Sequence, residues 1–195
     1  MFKIVEEFEN KIADFFGAPY AVSTDCCTHA IELCLRHQKV VAATCPSNTY
    51  ISIPFTLEKL NIKWKFEDRL WKDYYCLGNT NVIDAAVFWQ RNGYIPGTLM
   101  CLSFQFKKHL NLGRGGAILT DDVKIYNALK KMVYDGRERN TPWAEQNIDT
   151  VGYHYYMTPE TAQLGLEKFE EAARTIPRTW EYKDYPHLPD MAVFK

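Results

Sequence analysis

Helix-period and strand-period segments alternate along most of this chain, and that alternation restricts the fold more than any single residue does. Over residues 2–16, Ile4, Val5, Phe8, Ile12 and Phe15 recur at helical spacing, and Gly17 is a natural stop. Residues 20–23 read as a short strand. Thr24 or Asp25 is placed to cap a second helix over 28–37. A strand over 40–44 follows. Pro46 then leads into a helix of about 49–60, and 62–66 is again a strand. Residues 69–81 are irregular and polar-aromatic. Apolar runs at 81–87, 99–104 and 117–120 supply three more strands. Asp121 opens a helix with Val123, Tyr126, Leu129 and Val133 on one face, and 135–150 is a polar loop. Thr158-Pro159-Glu160 starts a last helix, with proline in its first turn, that runs to about 174. Pro177, Pro186 and Pro189 leave 176–195 as an extended tail. The spacing predicts an α/β layered fold with a mainly parallel sheet, formed by residues 1–175 with the tail appended.

Charge and cysteine usage remove several classes of function. A formal net charge of -1 and the lack of a basic cluster interleaved with aromatics argue against a nucleic-acid partner. The six cysteines, at 26, 27, 34, 45, 76 and 101, include a vicinal pair but no C-x-x-C, so no metal site is expected. Cys34, Cys45 and Cys101 read as core thiols. With no leader-like segment and no long apolar span, a cytoplasmic protein away from the membrane is expected. Aromatic residues make up 14% of the chain, high for this length, so either the core is aromatic-rich or an oligomer interface uses the excess.

In open α/β sheets, ligands bind at the carboxyl ends of strands. Four groups fall there. The turn Ser23-Thr-Asp-Cys-Cys27-Thr28 leads from a strand into a helix, whose N-terminus can hold a phosphate or be closed by an ordinary capping side chain. Asn48-Thr49-Tyr50 brings an aromatic to another helix start, either as a stacking platform or as core. Asp84 ends an apolar strand, where an unpaired carboxylate would be costly. Ser103 and Lys108 follow the 99–104 strand and precede a glycine-rich turn. Most lysines are simply solvated. A lysine desolvated at the mouth of a sheet can lose its proton and attack a carbonyl. A carboxylate, an amine, a phosphate seat and a flat ring are the set that pyridoxal 5'-phosphate (PLP) requires.

The order of these blocks resembles the DegT/StrS family of PLP-dependent sugar aminotransferases, of fold type I. Phe8-Glu-x-x-Ile-Ala-x-Phe-Phe-Gly17 resembles that family's approach to its first strand, and Cys26-Cys-Thr28-His-Ala-Ile stands where the family has Asn-Gly-Thr-Ala-Ala-Leu. Pro46-x-x-Thr49-Tyr50-x-Ser, Val82-Ile-Asp84-Ala-Ala, Ser103-Phe-x-x-x-Lys108 with Gly113-x-Gly-Gly116, and Gly152-Tyr-His-Tyr-Tyr-Met157 with Ala162 and Gly165 follow colinearly. The lysine block keeps the family spacing, which selects Lys108 over Lys107.

The resemblance implies a three-layer large domain that binds PLP over residues 1–175, with a mixed, mainly parallel sheet and most of the small C-terminal domain missing. It implies that Lys108 carries the cofactor as an internal aldimine and later shuttles a proton. Asp84 would hold the ring nitrogen protonated, and Tyr50 would stack on the ring. Cys27, Thr28 and Ser103 would hold the phosphate. His154 would reach the neighbouring subunit's phosphate, which makes the enzyme a homodimer with shared sites. The substrate would be a keto-sugar or nucleotide-linked keto-sugar, and the amino donor an amino acid such as glutamate.

The chain also departs from the pattern. It is about half the family's usual length, and a strand–helix unit before the aspartate strand is deleted. Cys26 and Cys27 replace the asparagine and glycine of the phosphate turn, Val87 replaces a glutamine or histidine beside the cofactor, and His154 and Tyr156 replace an asparagine and an arginine. A second reading is therefore a non-catalytic member that binds PLP or a sugar nucleotide, or only assembles with a partner. Arg137 and Arg139 read as solvated loop charges, with a substrate-phosphate contact as the alternative.

Overall fold

The computed structural model describes residues 2–195. The helices are α1 (Lys3–Phe16), α2 (Cys27–His37), α3 (Ser52–Lys59), α4 (Val123–Met132) and α5 (Pro159–Arg174). The strands are β1 (Tyr20–Thr24), β2 (Ala42–Pro46), β3 (Lys63–Glu67), β4 (Tyr75–Cys76), β5 (Val82–Asp84), β6 (Leu99–Ser103) and β7 (Gly116–Thr120).

Strand periodicity divides the interior in two. On β6, Met100 and Leu102 pack with α1 and α5, whereas Leu99 and Cys101 pack with α2 and α4. Ile83 against Val82 and Leu119 against Ile118 divide in the same way, because successive side chains leave opposite faces of a sheet. The result is the expected three-layer α/β arrangement. α1 meets α5 at Gly165, where a Cβ would lie 2.4 Å from a ring carbon of the fully buried Phe8, so only glycine allows this approach.

The main sheet has the order β1-β7-β6-β5-β4, and β2 and β3 form a separate parallel pair. The sheet is mixed, as expected, but its parallel share is smaller than the alternation predicts. Within the five strands only β5 and β6 run parallel, while β1/β7, β6/β7 and β4/β5 are antiparallel. The reason is the connections. β6 returns to β7 through the Gly113–Gly116 turn, without a crossover helix to restore its direction. Residues 69–81 are too few for a strand–helix unit, and the two-residue β4 takes the place beside β5 instead. These directions still bring the carboxyl ends of β1, β5 and β6 and the starts of β4 and β7 to one edge. Thr24, Asp84, Ser103, Tyr75 and Gly116 therefore converge there.

The tail does not run extended. Residues 176–195 make three single 3-10 turns, Tyr182–Asp184, Leu188–Asp190 and Ala192–Phe194, and lie back on the sheet edge. The Tyr182 amide donates to the Trp71 carbonyl and the Leu188 amide to the Ser47 carbonyl. Leu188 is fully buried, and Phe194 packs against Phe55, Trp64 and Phe66. Prolines prevent longer helix here, but apolar side chains still find cover.

Candidate active site

A cavity of about 720 Å³ opens at the convergent edge, lined by Cys27, Thr28, Tyr50, Asp84, Ser103 and Lys108 among others. Six of the seven site residues expected from the sequence thus share one space. The seventh, His154, is exposed outside it, where its Nδ1 lies 2.9 Å from Asp135.

Asp84 forms the floor. It is buried at the end of β5, with Oδ2 accepting from the Tyr75 hydroxyl at 2.6 Å and Oδ1 from the Ala86 amide at 2.9 Å. Burial raises its pKa, against the opposing effects of those two donors and the Lys108 charge. The Tyr75 hydroxyl also hydrogen-bonds the buried Thr49, so Thr49, Tyr75 and Asp84 form a continuous polar chain. Tyr75 is not announced by any motif in the sequence. Its only signal was the apolar 74–77 run inside a stretch read as irregular.

Lys108 follows β6 on a tight turn, with its amide donating to the Gln105 carbonyl at 2.8 Å. It is half-buried while Lys107 is exposed. Burial lowers the Lys108 pKa, although the nearby Asp84 carboxylate opposes the shift. Its Nζ lies 5.4 Å from the centre of the Trp180 ring, contributed by the tail. Trp180, Asp184 and Tyr185 all line the cavity, and no motif in 176–195 announced them.

The start of α2 settles the choice left open by the turn at 23–28. Neither Thr24 nor Asp25 caps the helix. Cys26 is the cap residue and its side chain makes no cap hydrogen bond. Thr24 Oγ1 instead donates to the Cys26 carbonyl at 2.9 Å, and Asp25 is taken by His29 and Arg114. The first-turn amides of α2 therefore lack a capping side chain and open into the cavity beside Thr28 and Ser103. Cys27 sits in the helix with no positive φ, so losing glycine there costs no backbone strain. The strict glycine is Gly116 on β7, where a Cβ would lie 2.6 Å from backbone atoms of both Cys26 and Cys27. Tyr50 is 55% exposed at the cavity mouth, which makes it a wall of the cavity rather than core.

Arg139 is not a solvated loop charge. Its side chain is 4% exposed and reaches both carboxylate oxygens of the buried Glu9 at 3.3 Å. Glu9 also accepts from Lys130 at 2.6 Å and from the amide and hydroxyl of Ser23. This clamp ties α1, β1, α4 and the 135–150 loop together. Arg137 stacks on Tyr134 and Trp143. Cys34, Cys45 and Cys101 are buried thiols, as expected.

The family model of the DegT/DnrJ/EryC1/StrS aminotransferases matches residues 1–88 and 89–185. No curated protein matches the chain in sequence. Solved structures with the same fold include AtS13 from Actinomadura melliaura (TM-score 0.77, 18% identity, 87% of this chain and 60% of that one). They also include the PLP form of Spr1654 from Streptococcus pneumoniae (TM-score 0.72, 18% identity, 87% and 59%). A third is PseC from Helicobacter pylori, an aminotransferase involved in the biosynthesis of pseudoaminic acid (TM-score 0.70, 15% identity, 87% and 58%). The chain thus covers less than two thirds of each of these proteins.

Proposed function

This chain belongs to the DegT/DnrJ/EryC1/StrS aminotransferase family, and on that premise we propose that it binds PLP and transfers an amino group to a keto-sugar or nucleotide-linked keto-sugar. The observation that carries this reading is the meeting of buried Asp84, half-buried Lys108 and the uncapped N-terminus of α2 in one cavity.

The donor set fits the cofactor. A phosphate suits the open amides of α2 together with the Thr28 and Ser103 hydroxyls. A protonated ring nitrogen suits Asp84. Each of its oxygens already accepts one hydrogen bond, and a carboxylate offers about four acceptor positions. Tyr50 offers a flat face and Lys108 an amine whose proton is weakened by burial. When bound, PLP supplies an electron sink for breaking a bond at the substrate's amino carbon.

The remaining work falls to the chain's own groups. Asp84, held by Tyr75 and the Ala86 amide, would hold the cofactor's ring nitrogen. Lys108 Nζ would hold the cofactor and would accept and return a proton at the substrate's amino carbon. Trp180 and Tyr185 exclude water above it. Residues 1–175 form the cofactor-binding unit under this reading, and 176–195 act as its cover. His154, outside its own cavity, serves the site of a second copy in a homodimer. The amino donor is an amino acid, with glutamate as the expected one.

One observation favours a second reading. Trp180 lies over Lys108, so the tail covers the amine that must meet substrate. A chain that binds the cofactor without turnover would have such a cover. The two readings separate on adding glutamate to the PLP-loaded protein. Conversion of the cofactor's absorbance to that of the amine form, restored by a nucleotide-linked keto-sugar, supports transamination. A spectrum unchanged by every amino acid supports binding alone.

A further inference from the structure

Residues 176–181 cross the cavity between two fixed points. At one end α5 is held, where the Ala172 carbonyl accepts from Trp89 Nε1 at 3.0 Å. At the other, the Tyr182 amide donates to the Trp71 carbonyl at 3.0 Å, and Asn48 Nδ2 donates to the Tyr185 carbonyl at 2.9 Å. The crossing itself is held lightly. Among the described residues, 176–179 make no backbone–backbone hydrogen bond, and Ile176 is 95% exposed. Asp73 clasps Trp180 on both sides: its amide donates to the Trp180 carbonyl at 2.8 Å, and its Oδ1 accepts from the Trp180 amide at 3.3 Å. Beside that clasp, Lys72 and Glu181 face each other across an antiparallel bridge. Arg178 reaches back to the fixed end, pairing with Asp184 while its guanidinium lies 4.1 Å from the centre of the Trp180 ring. The Arg178 side chain is 62% exposed, and water weakens such a pair, so it can hold the crossing without fixing it.

We propose that residues 176–181 are a strap that closes Trp180 over Lys108 and lifts to admit the reactants of that amine, with Arg178–Asp184 as its latch and Asp73 as its clasp. The need to lift is steric. Non-bonded carbon atoms stay about 3.5–4.0 Å apart. The Trp180 ring centre lies 5.4 Å from Lys108 Nζ, which leaves no room for a reactant between them. The parts needed for lifting are in place. Residues 176–179 absorb the change of backbone angle, and the two Asp73–Trp180 bonds are the ones that part. Tyr182, Tyr185 and the buried Leu188 stay on the sheet edge, so the strap returns to the same seat. The admission of PLP rests on the aminotransferase reading above, whereas the opening itself does not.

Two measurements test the strap. Residues opposite each other in an antiparallel bridge lie within reach of a disulfide, so Lys72→Cys/Glu181→Cys can lock the strap closed. With the two new thiols joined, PLP uptake followed by absorbance is expected to be at least about tenfold slower than in the same protein reduced with dithiothreitol. The second measurement is amide hydrogen exchange in the unmodified chain. The Asp73 and Trp180 amides are expected to exchange at least about tenfold faster than those of Tyr182 and Leu188, which belong to the fixed end. Arg178→Gln should speed the first two at least about threefold and leave the other two unchanged. Equal PLP uptake by the linked and reduced forms, or equal protection of all four amides, overturns the proposal. A protein that takes up no PLP in either form refutes the aminotransferase reading, and the exchange rates then decide the strap by themselves.

Discussion

Tyr75→Phe isolates the chain of hydroxyls beneath the site. Phenylalanine fills the same volume, so no cavity opens and only the hydrogen bonds to Asp84 and Thr49 are lost. A bond to a carboxylate contributes about 1.5–3 kcal/mol and a neutral one about 0.5–1.5 kcal/mol. The Thr49 share is neutral at any pH. The Asp84 share depends on its ionisation. Burial raises Asp84 above its ordinary value of 3.8. Between 3.8 and that raised value, the native state therefore holds a proton that the unfolded chain has released. The associated stability is fully present below 3.8 and lost as pH rises through the raised native value. Removing the Tyr75 donor raises that value further, so the variant loses more on the alkaline side. Urea unfolding should show a deficit of about 2–4 kcal/mol near pH 8, smaller by about 1 kcal/mol near pH 4. An equal deficit at both pH values, or one below about 0.5 kcal/mol near pH 8, would refute the coupling of Tyr75 to the Asp84 charge.

Other perturbations probe the parts that position the site. Gly116→Ala drives a methyl into the Cys26–Cys27 backbone and should cost about 1–3 kcal/mol, with weakened PLP uptake measured by absorbance titration. Glu9→Gln leaves Lys130 and Arg139 buried without their acid, and denaturant unfolding should show a loss of about 3–5 kcal/mol. Trp180→Ala admits water to Lys108 and should shift the pH midpoint of its reaction with PLP upward, towards the ordinary lysine value of 10.5. An unchanged midpoint would show that the tail does not desolvate the lysine.

Legibility from sequence followed the range of the forces involved. α1 and α5 were readable because apolar spacing and end signals agree, with Gly17 closing one and Thr158-Pro159 opening the other. The convergence of Thr28, Tyr50, Asp84, Ser103 and Lys108 was readable from ordered motifs placed at strand ends. What escaped depends on long-range pairing. β4 is two residues long and exists through its pairing with β5, so it has no periodicity of its own. Arg139 looked like a loop charge because Glu9, its partner, lies 130 residues away. The open end of α2 was hidden by two good capping residues, Thr24 and Asp25, that are spent on the Cys26 carbonyl and on His29 and Arg114. The tail's role was hidden by prolines, which exclude long helices but not packing.

Lys108 is proposed to receive the cofactor. The most direct measurement is to add PLP to the purified protein, reduce with borohydride and map the modified peptide. The expected result is a stable adduct on Lys108, retained in Lys107→Ala and lost in Lys108→Ala. An adduct on Lys107 instead, or none on any lysine, would contradict it.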